Sequence, residues 1–301
     1  MSQQKGRNFI NLKNAMLVFT VFALWFSVYF GERVEAILSY TLILSFGILH
    51  GANDIHLIWS TYNTKNTQVS RNKVITIYIL AVFSILALFS LSPFTALIFF
   101  ILVSGYHFGE QHWEKSFSVK TIWNKGIYLV YGLFILFMLF YLKHEQVIPI
   151  IDELTGNRLT MDFLEGTMLT LGVLLLLSLG IQFLMGRVTS NPWEELFLLG
   201  VFFVIFKTAS LLWGFCIYFV VWHSIPSLMD QMDYLYGRST WETFRNYLKT
   251  SWPYWLVSLV GLIGLYWLLG ENNEYFISVL IYFLAAITFP HVIVMSRLEK
   301  D

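Results

Sequence analysis

From Gly166 to Gly186 the chain reads GTMLTLGVLLLLSLGIQFLMG, without one charged side chain. About 20 apolar residues are what an α-helix needs to cross the hydrocarbon core of a bilayer. The run is continuous rather than alternating, which selects a helix over a barrel strand. The rest of the 301 residues agrees: 57% are hydrophobic and only 13% charged, about half the charged share of soluble domains. Such a chain needs lipid as its solvent, and lipid obliges the backbone to satisfy its own polar groups. The fold class is therefore all-α, a polytopic transmembrane helical bundle, with residues 1–301 forming a single integral membrane domain.

Apolar runs place spans near 14–31, 34–59, 74–92, 94–113, 122–142, 166–186, 192–206, 208–229, 253–270 and 275–296. The seventh is short, so the bundle has about 8–10 spans. Residues 1–13 read as a cytoplasmic tail, and the first apolar stretch as a retained span, because Gly31-Glu32-Arg33 follows it where a cleavage site would need small residues. The polar stretch 143–165 reads as an external loop or an interfacial helix.

The basic residues set the orientation, because positive charge collects on the cytoplasmic side. With both termini inside the cell membrane, fifteen of the 19 Lys and Arg fall inside, Lys5, Lys65, Arg71, Lys115, Arg187, Arg245 and Lys300 among them. Only Arg33, Lys143, Arg158 and Lys207 do not. Net charge is zero, which gives no basis for nucleic-acid binding. The single cysteine, Cys216, excludes an intramolecular disulfide and a cysteine-based metal cage.

Six of the seven histidines lie in or at the ends of apolar spans, and His144 sits in the polar stretch. Ionisable groups at membrane depth are costly and point to function; the plain alternative for each is a core histidine bonded to a carbonyl. His50, His107, His223 and His291 lie on spans two, four, eight and ten, all running from outside to inside. Each follows its span's start by a similar number of residues, which puts all four about 18 to 25 Å from the outer face. Four imidazoles from four helices can therefore meet in one layer. Imidazole suits Fe, Zn, Cu or Ni, and a neutral all-nitrogen site with open positions fits ferrous iron working on dioxygen.

Spacing sorts the neighbours. Asp54 is four residues past His50 and Glu110 three past His107, each on its histidine's helix face. Either carboxylate suits the second N–H of a ligating histidine, directly or from a neighbouring helix. His56 and His112 point away from the first histidine of each segment and belong to a surrounding shell or the helix end, as does Ser227. Gly51 and Gly109 permit close helix packing. Pro226 removes a backbone N–H just after His223, and Pro290 stands beside His291. No substrate-binding residue is singled out.

Four segments resemble the Brp/Blh family of β-carotene 15,15'-dioxygenases: His50-Gly-Ala-Asn-Asp54, Tyr106-His-Phe-Gly109, Trp222-His-Ser-Ile-Pro-Ser227 and Pro290-His-Val-Ile-Val-Met295. The resemblance runs from about residue 35 to 297. It implies an Fe²⁺ membrane enzyme that cleaves all-trans-β-carotene at its central double bond with O₂, giving two all-trans-retinal. That product would serve a retinal-binding rhodopsin, a functional partner. By motif the iron ligands fall on His50, His107 and His223. Some members carry a further histidine where Ser227 stands here, so the fourth ligand, His291, rests on depth alone.

Three rival readings use the same histidines. Paired imidazoles on haem would make an electron-transfer protein. A histidine-lined path would make a transporter, though Asp54 and Glu110 cluster near the metal layer instead of marking a route. A di-iron desaturase would need closely spaced histidine pairs, which are absent. A rhodopsin would need a buried lysine in the last spans, and Lys207 sits between two spans.

Overall fold

A computed structural model describes residues 2–64, 70–269 and 276–298, with side chains at 2–11, 62–64, 297 and 298 left aside. Lys65 and Lys300, both counted toward the inner face, lie outside the described residues. The helices are α1 (Ser2–Tyr29), α2 (Glu32–Leu42), α3 (Asp54–Thr64), α4 (Arg71–Leu91), α5 (Pro93–Trp113), α6 (Ile122–Leu142), α7 (His144–Thr155), α8 (Met161–Leu184), α9 (Pro192–Thr208), α10 (Leu211–Cys216), α11 (Ile225–Tyr236), α12 (Trp241–Leu269) and α13 (Phe276–Leu298). No β-strand occurs among the described residues. Eight helical stretches are long and apolar enough to cross a membrane. The second expected span, broken at its middle, and α9, at 17 residues, are not among the eight.

Several boundaries differ from the sequence reading. α1 begins at Ser2, so the stretch read as a tail continues the first helix. The stretch read as an external loop or an interfacial helix is mostly the helix α7, which buries Val147, Ile151 and Leu154 along one face. α12 starts at Trp241, well before its apolar run.

The ends of the bundle are tied by polar contacts. At one end Lys13 Nζ meets Glu194 at 3.2 Å, Lys115 Nζ meets Asp230 at 2.6 Å, and Phe117 pairs with Val188. At the other, Ser210 N–H donates to buried Glu35, and Leu211 N–H to Gln146, both at 2.9 Å. These are the first amides of α10, which have no partner within their own helix.

α5 and α6 pack against each other through glycine. A Cβ on Gly132 would lie 1.7 Å from the Gly105 carbonyl oxygen, and one on Gly109 would lie 1.8 Å from that of Tyr128. Only hydrogen side chains allow this approach, and small residues are what let membrane helices approach closely without a hydrophobic drive between them. It holds α5, with His107, firmly in the bundle.

Two of the expected spans leave regular α geometry where they pack against each other. The second passes from α2 through a π-helical turn, Ile43–Gly47, and then breaks over His50–Asn53 before α3 starts. The eighth widens into a π-helix over Ile217–Ser224 between α10 and α11. Pro226 contributes to the second irregularity: it has no N–H to give Trp222 O, the acceptor an α-helix would use. Short π segments inside α-helices are frequently found at functional sites.

Candidate metal centre

The break and the π-helix both carry a histidine, and the structure brings these two together with two more. His50, His107, His223 and His291 are all buried, at 2–5% exposure. Their rings form a closed four-membered group. Centroids are 4.7 Å apart for His50–His291 and His107–His223, 5.2 Å for His107–His291 and 5.3 Å for His50–His223. Neighbouring planes stand 80–89° to one another. One ligand atom from each of His50, His223 and His291 lies within 4.8 Å of the others; His107 closes the group against the last two.

The polar bookkeeping tests whether a metal fits. Buried polar atoms are nearly always hydrogen-bonded, yet His107 Nε2, His223 Nδ1 and His291 Nε2 have no partner. His50 donates Nδ1–H to the Gly47 carbonyl, which leaves its Nε2 as the lone-pair nitrogen. His291 donates Nδ1–H to Asp54 Oδ1 at 2.8 Å and likewise keeps Nε2 as an acceptor. Unpartnered polar nitrogens gathered in one buried place are costly unless a cation sits among them. The residues present therefore fit a metal of imidazole preference such as iron.

Asp54 does not sit one turn along the same helix as His50, because that helix has ended. It opens α3, where the helix N-terminus favours a carboxylate, and reaches across to α13. Its other oxygen accepts the Tyr78 hydroxyl at 2.9 Å. A carboxylate behind an imidazole fixes the ring's tautomer and raises its basicity.

The irregular backbone frees carbonyls, and side chains from elsewhere satisfy them. Gln231 Nε2 donates to His50 O at 2.8 Å and to Ser227 Oγ at 3.3 Å. The Tyr247 hydroxyl lies 2.8 Å from Gln231 Oε1, 3.2 Å from His50 O and 3.3 Å from Leu49 O. Gln111 Nε2 donates to His223 O at 3.0 Å. So Ser227 stands behind His50 rather than beside His223. Gln231, Tyr247, Gln111 and Tyr78 carry no signature of their own in sequence.

The remaining candidates are placed otherwise. Glu110 is buried and accepts the Tyr106 hydroxyl at 2.7 Å. His112 lies apart from the four rings: it meets Glu195 of α9 at 2.8 Å and stacks on Tyr131. His56, on α3, packs near Trp59 at 6.3 Å and is also outside the group. Gly51 approaches the site itself, since a Cβ there would lie 3.7 Å from His291 Nδ1. With four rings this close, no flat slot is left between any pair for a porphyrin.

An apolar cavity of about 360 Å³ ends at two phenylalanines that pack on the site histidines. Phe108 and Phe219 line it, and their rings also touch the site: Phe108 lies 4.7 Å from His223, and Phe219 lies 5.7 Å from His50. Ser104 and Thr288, each one turn before a site histidine, line it as well. Glu32, Gln146 and Ser210 mark the far end. From Leu97 to Phe108 along α5, at about 1.5 Å per residue, the cavity is on the order of 17 Å deep.

Residues 41–299 match the family model described as Beta-carotene 15,15'-dioxygenase. Neither the curated proteins nor the solved structures compared with the chain give a match.

Proposed function

The chain belongs to the beta-carotene 15,15'-dioxygenase family, and from that premise we propose that it is a non-haem iron enzyme cleaving all-trans-β-carotene to two all-trans-retinal. The observation that carries this reading is the group of four buried imidazoles, three of them with an unbonded ring nitrogen, beside an apolar cavity. His50, His107, His223 and His291 would hold Fe²⁺, which supplies a centre that binds and activates O₂. In the balanced reaction the central C=C and the O–O bonds break and two C=O bonds form. The electrons lost by carbon are those gained by oxygen, so no further reductant is needed.

The chain's own residues do the positioning. The cavity takes an apolar polyene directly from lipid and excludes water, and its depth suits one half of a symmetric chain with the central bond at the histidines. Phe108 and Phe219 form the wall against which that bond lies, and fixed geometry at the reacting atoms accounts for much of a catalyst's advantage. Asp54, with Tyr78 behind it, holds His291 in one tautomer. Gln231, Tyr247 and Gln111 hold the main chain that carries His50 and His223.

The proposal extends to location: a cell membrane with both termini cytoplasmic, and retinal delivered to a rhodopsin. Expression in β-carotene-producing cells, with product chromatography and metal analysis, tests the core of it. Wild type should yield retinal and about one iron per chain, while His50→Ala, His107→Ala and His223→Ala should insert normally and yield neither. Retinal from a stably inserted His107→Ala protein would remove that residue from the site.

A further inference from the structure

Among the described residues two serine hydroxyls are buried with no hydrogen-bond partner, Ser104 and Ser190, and only Ser104 lines the cavity; of the eight fully buried Ser and Thr residues it is the one unpartnered. Four of the others follow the usual rule for membrane helices. Thr20, Ser39 and Ser251 donate to the carbonyl four residues back, and Ser224 to the one five back in its π-turn. Ser227, Thr243 and Ser278 bond to side chains or loop carbonyls. In a regular helix such as α5 the carbonyl four residues back is within reach, and Ser104 forgoes it. An unpartnered buried hydroxyl costs free energy that an alanine would avoid.

Its placement supplies the reason. Ser104 lines the cavity one turn before His107, and Thr288 lines it one turn before His291. Residues three apart on a helix are neighbours on one face, so both hydroxyls stand beside the reacting position. β-Carotene, a hydrocarbon, has nothing for them to bond. The reaction proposed above, on which this inference rests, creates a carbonyl oxygen at that very point.

We propose that Ser104 donates a hydrogen bond to the aldehyde oxygen of the retinal half left in the cavity, with Thr288 as its neighbour. The residue thus binds the product after the bond is cut. The prediction is read on binding, without turnover. All-trans-retinal added to the purified protein should show its carbonyl stretch lowered in the vibrational spectrum. Ser104→Ala should abolish the shift and weaken retinal binding by about 3- to 10-fold, while binding of the C20 hydrocarbon lacking the carbonyl stays the same. Ser104→Thr should restore the shift.

An unshifted carbonyl in wild type, or a shift that survives Ser104→Ala, overturns the assignment even if the enzyme makes retinal. Equal weakening of retinal and hydrocarbon binding overturns it too, as a general packing defect. A wild-type protein that neither forms nor binds retinal brings down the catalytic reading and this inference together.

Discussion

α8 and the second expected span are built by opposite means. α8 is an unbroken helix from Met161 to Leu184 whose Leu169, Val173, Leu176, Leu177 and Ile181 face out. Its backbone satisfies itself, and its side chains need only be apolar. The second span is broken at His50–Asn53, and its freed carbonyls are met by Gln231 and Tyr247 from distant parts of the chain. Irregular backbone survives at membrane depth only where protein repairs it, and here each repair holds a histidine-bearing segment in place. Two of the four site histidines ride on such irregular segments, and the other two, His107 and His291, on the helices α5 and α13 packed against them.

That contrast can be broken at graded points. Gly132→Ala should do most damage, because its new Cβ would strike backbone rather than a yielding side chain. Forcing α5 from α6 should cost about 3 kcal/mol or more and be visible as lost folded yield in detergent. Asp54→Asn should leave the fold intact yet lower metal affinity about 10- to 100-fold, measured by chelator competition; an unchanged affinity would mean that the carboxylate does not act on His291. Tyr247→Phe removes one donor from the break and should cost about 1 kcal/mol, seen as a lower thermal midpoint with iron still bound. Leu176→Ala on the lipid face of α8 should change stability by less than about 0.5 kcal/mol. A large effect there would mean that α8 needs more than apolar side chains.

Much of this was legible before any coordinates. Composition and run length gave the helical class and a bundle of about 8–10 spans, eight of which are long apolar helices in the structure, and a shared depth picked out four histidines that the structure gathers into one group. The five-residue step from His107 turns His112 to another helix, where Glu195 meets it. What stayed hidden has a common cause. Apolar residues resume at Ile55 after Gly51-Ala52-Asn53-Asp54, so a count of run length bridges the break that this short polar interruption marks. Once the helix breaks, Asp54 is no longer beside His50 and finds His291 instead. Gln111, Gln231 and Tyr247 are ordinary residue types whose partners are main-chain carbonyls freed by irregular backbone. Gly105 and Gly132 matter only as a pair across two helices.

The claim that four imidazoles hold one iron is tested most directly by X-ray absorption at the iron edge on purified protein, wild type beside His291→Ala. The account predicts about one iron per chain in an imidazole-nitrogen shell, with one imidazole fewer in the variant. Wild-type protein without iron, iron in a haem or sulfur environment, or a shell unaltered by His291→Ala would contradict it.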